Sequence, residues 1–225
     1  RDRLRSRGLG DVYKRQAKKL NITMKLGKEV TAQEVLALKP YSILVATGSN
    51  VISIPLEGLD QVQTVQAHDV LANDMQFANK KVVVIGGGIT GLETALYINR
   101  QGTNQVSVVD MLPEWPVDML DMRYQNEALL EVRHCNDQGV ALFYNNKVVK
   151  FADGKLFIES TKDGEVKELP ADVIVLSVGV KPNDALWQEL LASGHPSVWK
   201  AGDAIATGKI NKAVLHGSKF GYSLN

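Results

Sequence analysis

The residues with the clearest chemical purpose lie between positions 82 and 110. Gly86, Gly88 and Gly91 keep a G-x-G-x-x-G spacing in "VVVIGGGITGLE", behind the apolar β-branched run 82–85 and ahead of a helical period over 90–101 that Gly102 ends. Gly86 permits a sharp strand-to-helix turn, Gly88 lets the backbone approach a ligand without a Cβ clash, and Gly91 lets the helix pack closely on the strand. Gly87, Ile89 and Thr90 complete the turn. At such a turn the free amides and the helix macrodipole favour an anion, and a diphosphate is the anion that this geometry suits. A second strand, 106–109, ends at Asp110, 19 residues beyond Gly91, where a carboxylate can accept hydrogen bonds from ribose hydroxyls. A glycine motif alone is a weak signal. Strand, turn, helix, strand and terminal acid in that order predict a dinucleotide site.

Asp110 also selects between nicotinamide cofactors. Hydrogen bonds to a charged acceptor contribute about 1.5–3 kcal/mol. A 2′-phosphate about 4 Å from the carboxylate would be repelled by about 4 kcal/mol at an effective dielectric near 20. No arginine follows in "DMLPEW" to offset that repulsion, so NADH is expected over NADPH.

The remaining reactive side chains carry less. Cys135 is the only cysteine, which excludes a disulfide within the chain and a CxxC metal or redox pair. It reads as a small, semi-buried thiol near a helix end. His68, His134, His195 and His216 show no metal-ligand spacing, so no metal site is expected. No residue stands out as a catalytic acid.

The chain has 225 residues, 44% hydrophobic and 23% charged, with a formal net charge of +1, an ordinary globular composition that can bury one large core or two small ones. No apolar run approaches the roughly 20 residues that cross a bilayer, and no charged-then-apolar leader opens the chain. A reducing cytoplasm and a small-molecule substrate are expected, with neither membrane nor nucleic acid as partner and a homo-oligomer left open.

The first sixteen residues, "RDRLRSRGLGDVYKRQ", carry six Lys or Arg against two Asp. A nucleic-acid arm or a transit peptide would use such charge. From Arg5 to Gln16, however, the string resembles the in-frame translation of an adapter used in transposon-based sequencing libraries, and 1–16 is expected not to belong to the protein. A protein cut open upstream of Ala17 follows as an expectation.

The elements around the motif alternate strand and helix. A short strand is expected over 22–26 and a helix over 31–38 opening on the capping box "TAQE". "ILVA" at 43–46 reads as a strand buried on both faces that ends in Thr47 and Gly48, at the edge where ligands sit in open α/β sheets. Residues 50–79, with a helical stretch near 67–72, read as a connection. A helix is expected over 121–138. Short antiparallel strands follow in "VALFYN", "KVVKFA", "KLFIES" and "EVKEL", separated by the turns "ADGK" and "KDGE". "ADVIVLSVG" resumes the buried parallel pattern, "ALWQELLA" is helical, "SVWKAGDA" is a strand ending in Gly202-Asp203, and 211–224 is a last helix.

"VATGS" at 45–49, "VVVIGGGITGLE" at 82–93, "SVGVKPN" at 177–183 and "AGDA" at 201–204, in this order, resemble the landmarks of the two-dinucleotide flavoprotein oxidoreductases, the pyridine nucleotide-disulfide reductase superfamily. The resemblance covers 17–225. It implies an α/β fold in which a Rossmann-like three-layer NAD domain, 80–170, is inserted into an FAD domain. The parts of that FAD domain would be 17–79, with a linker, and 171–225. It would be truncated at its N-terminus, because the family's first glycine fingerprint lies upstream of the "ATG" strand. The resemblance further implies that Thr47 and Gly48 turn the chain near the flavin nucleotide and that Asp203 accepts from the FAD ribityl chain, with Ala46, Gly179 and Gly202 among the cofactor-binding residues. The helix from Asn211 would aim its N-terminus at the flavin, and Glu93 would orient the nicotinamide half of NAD or stand as an exposed helix carboxylate.

The absence of cysteine between "ATG" and "GGG" argues against a thioredoxin reductase. "VVDMLPE" and "GDAIATGKINKAVLHG" look more like the C-terminal region of NADH:flavin oxidoreductases of the 2-enoate and 2,4-dienoyl-CoA reductase group. That group implies an upstream barrel with FMN and a 4Fe-4S cluster, and hydride transfer from NADH to FAD. The alternatives are another FAD/NAD reductase of ferredoxin or peroxide type, or a noncatalytic NAD-binding module. The 225-residue chain alone is expected to be inactive, to bind NADH weakly and to bind no FAD.

Overall fold

A computed structural model describes residues 12–113 and 125–224. In chain order the first elements are α1 (12–19), α2 (Ala32–Ala37), β1 (Ile43–Val45), β2 (Ser49–Val51), β3 (Gln63–Gln66) and α3 (Ala67–Ala72). Then follow β4 (Lys81–Ile85), α4 (Ile89–Asn99), β5 (Gln105–Val109), α5 (Gln125–Asp137), β6 (Ala141–Phe143), β7 (Asn146–Ala152) and β8 (Lys155–Ser160). The last are β9 (Val166–Pro170), β10 (Val173–Leu176), β11 (Val180–Pro182), α6 (Ala185–Ala192), β12 (Val198–Lys200) and α7 (Ile210–Ser223). The chain forms two compact units, one of residues 1–45 and 185–199 and the other of 46–184 and 200–225.

The smaller unit packs α2 and α6 on the two-stranded β1–β12 sheet around Ile43, Val45 and Leu190. Thr31 caps α2 as expected: its hydroxyl accepts from the Glu34 amide (3.3 Å), and the Glu34 carboxylate accepts from the Thr31 amide (3.1 Å). The Lys28 ammonium and the Thr31 amide hold the Glu34 carboxyl below the usual carboxylate range. His195 ties two loops together. Its Nδ1 accepts from the Ser197 amide (3.2 Å), so the proton sits on Nε2, 3.0 Å from the Pro40 carbonyl to which it donates. The strand expected over 22–26 does not form. Ile22, Met24 and Leu26 are exposed, and alternation without a partner strand leaves the backbone unpaired.

The larger unit is built on a five-stranded parallel sheet in the order β3-β10-β4-β5-β6. Its two central strands, "VVVI" and "VIVL", are buried on both faces, which is why they read as continuous apolar runs. Val82, Val84, Val173 and Val175 point to one face and meet α3, α4 and α5 through Val70, Leu92, Leu96 and Val132. Val83, Ile85, Ile174 and Leu176 point to the other and meet the antiparallel sheet β7-β8-β9 through Phe151, Leu156 and Ile158. Helices, parallel sheet and antiparallel sheet make the three layers. Asp153 and Gly154 both take positive φ (50° and 73°) in the β7–β8 hairpin, the two-residue turn that "ADGK" announces.

Several expectations change. "VALF" is not part of the antiparallel group: β6 pairs in parallel with β5 at the sheet edge. The stretch 50–79 is more than a connection, since β3 pairs in parallel with β10, and β2 pairs antiparallel with β11. Edge strands need only half-burial, and two Gln in "QTVQ" hide the pattern of β3. The helix expected over 121–138 is present from Gln125, while 121–124 lie outside the described residues. No helix among the described residues is long and apolar enough to cross a membrane.

Cys135 is fully buried against α4, with Sγ 3.9 Å from the Leu92 carbonyl, and burial pushes its thiol up to about 12. The thiolate is the reactive form. Native protein at pH 8 is therefore expected to react with an aromatic disulfide reagent more than about 100-fold slower than protein in denaturant. The sign follows for stability: the folded state resists ionisation, so this contribution is complete below the ordinary value of 9.0 and is lost as pH rises toward 12. Equal labelling rates in the two states would contradict this burial.

Candidate functional site

The glycine turn lies where the sheet changes direction. From β4 the chain moves outward through β5 to β6, and it returns to place β10 on the opposite side of β4. The crevice outside the carboxyl ends of β4 and β10 is thus a topological switch point, the place where open α/β sheets bind ligands. Gly86 sits at its base with φ +109°, and a Cβ there would meet the Ser177 carbonyl oxygen at 2.2 Å. A Cβ on Gly91 would meet the Gly86 carbonyl oxygen at 2.0 Å and Ser177 Oγ at 3.3 Å. Only glycine allows these backbones to approach so closely.

Gly88 is the N-cap of α4, in extended conformation, and no side chain caps the helix. Ile89 is buried beneath the first turn, Thr90 is half-buried, and Glu93 is exposed between buried Leu92 and Thr94. The Thr94 hydroxyl donates to the Thr90 carbonyl (2.6 Å). Without a side-chain cap, the amides of the first turn can be given to an anion.

Asp110 stands at this turn. Its Oδ2 accepts from the Gly87 amide (2.5 Å) and its Oδ1 from the Leu112 amide (2.8 Å). Two backbone donors orient the half-buried carboxylate, and each oxygen keeps a further lone pair for a ligand. A Cβ on Gly87 would lie 3.0 Å from Tyr144 Cε1 and 3.2 Å from Asp110 Cβ, so that side of the turn is closed by these two residues. Among the described residues no group of three or more His, Cys, Asp or Glu is placed to hold a metal ion.

The residues expected at a flavin nucleotide form a separate set of contacts in the same unit. The Thr47 hydroxyl donates to the Asn183 carbonyl, whose amide in turn donates to the Gly48 carbonyl (3.0 Å). Asp203 accepts from the Ser49 hydroxyl (3.4 Å) and the Gly208 amide (3.1 Å). The Gly202 amide donates to His216 Nδ1 on α7 (3.2 Å), and a Cβ on Gly202 would lie 3.6 Å from the Ala213 Cβ in the first turns of that helix. Ala46 and Gly179 are exposed, the latter accepting from the Ile52 amide (3.1 Å).

Two residues at the glycine turn are not visible in the motif itself. Ser177, at the end of β10, and Tyr144, after β6, reach it only through strand order. Recognising "VALF" as the parallel neighbour of β5 would have placed Tyr144 beside Asp110.

The close approaches set a test of the turn. Gly91→Ala is expected to lose about 1–3 kcal/mol by overpacking, a fall of several degrees in Tm by thermal denaturation. Gly217→Ala, in α7 with open space around the added methyl, should be neutral or stabilising. A Gly91→Ala protein as stable as the parent would show that the turn has room to spare.

Comparison with known proteins agrees with this architecture. Residues 9–216 match the family model described as pyridine nucleotide-disulphide oxidoreductase, a match that begins within the adapter-like stretch. The chain is 29% identical over 222 residues to an NADH oxidase of Thermoanaerobacter brockii, covering 95% of this chain and 32% of that protein. It is 33% identical over 168 residues to a bilirubin reductase of Mediterraneibacter gnavus, covering 75% of this chain and 25% of that protein. A solved 2-naphthoyl-CoA reductase in complex with 2-naphthoyl-CoA superposes with a TM-score of 0.77 at 27% identity, covering 93% of this chain and 31% of that one. The chain thus spans about a quarter to a third of the length of these relatives. With the glycine turn, the switch point and the match over 9–216 together, the chain belongs to the pyridine nucleotide-disulphide oxidoreductase family, FAD-dependent oxidoreductases that bind FAD and NAD(P).

Proposed function

We propose that this chain is the NADH-binding portion, with part of the FAD-binding portion, of a reductase. The observation that carries this reading is the Asp110 carboxylate held by the Gly87 amide at an uncapped helix start in the switch-point crevice. The cradle fits a dinucleotide: a Cβ on Gly86 or Gly91 would overlap backbone, and no side chain caps the first turn of α4, which leaves its amides to an anion. When bound, NADH would supply a hydride to FAD.

The residues of this chain bind and orient. Gly86, Gly87, Gly88, Ile89, Thr90 and Gly91 present the turn to the diphosphate, and Asp110 accepts from the adenosine ribose. Glu93 orients the nicotinamide half. Thr47, Gly48 and Asp203 hold the flavin nucleotide, with Asp203 as hydroxyl acceptor and the α7 N-terminus as a source of positive potential, and Ala46, Gly179 and Gly202 belong to the cofactor-binding set.

We assign 80–170 to the NAD domain, with β3 and β10 completing its parallel sheet, and the rest of 17–79 and 171–225 to parts of the FAD domain. In the whole protein, electrons would pass to FMN and a 4Fe-4S cluster in an upstream region and reduce an activated C=C bond of a small molecule in the cytoplasm. The similarity to a bilirubin reductase and to a 2-naphthoyl-CoA reductase bound to 2-naphthoyl-CoA supports that direction. The 225-residue chain by itself would be inactive in this reaction.

Titration of the 225-residue chain, followed by quenching of tryptophan fluorescence, tests the reading. NADH is expected to bind at least about tenfold more tightly than NADPH, consistent with repulsion of a 2′-phosphate by Asp110. Asp110→Asn should weaken NADH by about tenfold and remove most of the discrimination. A folded sample without affinity for NADH would overturn the assignment.

A further inference from the structure

Tyr144 lies outside every motif of the nucleotide turn, yet the fold brings it there. β5 and β6 run parallel with Val109 opposite Phe143, and the pairing continues past the strand ends. The Asp110 amide donates to the Phe143 carbonyl (3.0 Å), the Asn146 amide to the Asp110 carbonyl (2.9 Å), and the Asn145 amide to the Leu112 carbonyl (2.8 Å). Buried Asn146 closes the turn with its side-chain amide on the Tyr144 carbonyl (2.7 Å). Tyr144 is therefore fixed relative to Asp110 by four hydrogen bonds. The missing Cβ of Gly87 marks where they converge, 3.0 Å from the Tyr144 ring edge and 3.3 Å from Asp110 Oδ2.

We propose that Tyr144 is a specificity-determining residue of the nucleotide site, its ring forming a wall beside the Asp110 carboxylate that favours an unphosphorylated adenosine ribose over a 2′-phosphorylated one. The inference rests on the NADH reading above. Two effects act together. The ring occupies volume that a phosphate would need, and as a low-dielectric wall it excludes water that would screen the carboxylate from the phosphate. The same exclusion strengthens hydrogen bonds from ribose hydroxyls to Asp110. The ring carries the effect and the phenol oxygen does not, so phenylalanine should substitute for tyrosine. Asn146 is a positioning residue that acts through Tyr144.

The test is the dissociation constant of NADH and of NADPH for the 225-residue chain and its Tyr144→Phe, Tyr144→Leu and Tyr144→Ala variants, with far-ultraviolet circular dichroism to show that each is folded. Tyr144→Phe should keep the NADPH-to-NADH ratio of dissociation constants within about threefold of the parent. Tyr144→Ala should weaken NADH and narrow that ratio by about tenfold, with Tyr144→Leu between the two. Leucine keeps an apolar side chain at the turn and supplies the reading should the alanine variant not fold. If the parent binds NADH while the leucine and alanine variants keep its ratio, this inference falls and the NADH reading stands. If phenylalanine narrows the ratio as much as alanine, the hydroxyl acts and the ring assignment is overturned. A folded parent that does not bind NADH overturns both readings.

Discussion

The structure of the larger unit depends on one backbone-to-backbone approach at the carboxyl ends of β4 and β10. The Gly86 α-carbon faces the Ser177 carbonyl so closely that a side chain would overlap it, and Gly91 repeats this against the Gly86 carbonyl. Three segments meet where any methyl group would keep them apart. Because they meet, α4 starts directly over the strand end, and its first amides face the crevice at which the sheet changes direction. Moving any of these backbones outward would move the helix start away from the crevice.

The two-sided core makes that approach affordable in energy. Alternate residues of β4 and β10 bury against helices on one face and against an antiparallel sheet on the other, so both strands are held rigidly up to their last residue. The polar groups of Asp110 are satisfied locally. Asp110 accepts from the Gly87 and Leu112 backbone amides, and its own backbone pairs with Phe143 and Asn146. A carboxylate oriented by the main chain presents its remaining lone pairs in one direction, which is what recognition of a ribose requires.

The contacts at the expected flavin residues follow a different principle. Thr47, Gly48 and Asn183 bond to one another across chain segments far apart in sequence, and Ser49 does the same with Asp203. These loops are shaped by side-chain and main-chain hydrogen bonds rather than by packed strands. The smaller unit has its own modest core around Leu190, and His195 joins two of its loops.

The sequence by itself determined every element whose signal is local. The period of α4, the double burial of β4 and β10, the capping box at Thr31 and the Asp-Gly hairpin at 153–154 are each written in a few adjacent residues. It also determined the turn from Gly86 to Gly91 and its distant acid Asp110, because close approach leaves glycine no substitute. The alternation over 22–26 misled because a strand exists only with a partner. Tertiary structure alone decided that β6 lies parallel beside β5, that β3 borders the sheet, and that β10 enters between β3 and β4. Those pairings join residues distant in the chain, and edge strands need too little burial to mark themselves. Strand order therefore placed Ser177 and Tyr144 at the turn, where no local pattern could have put them.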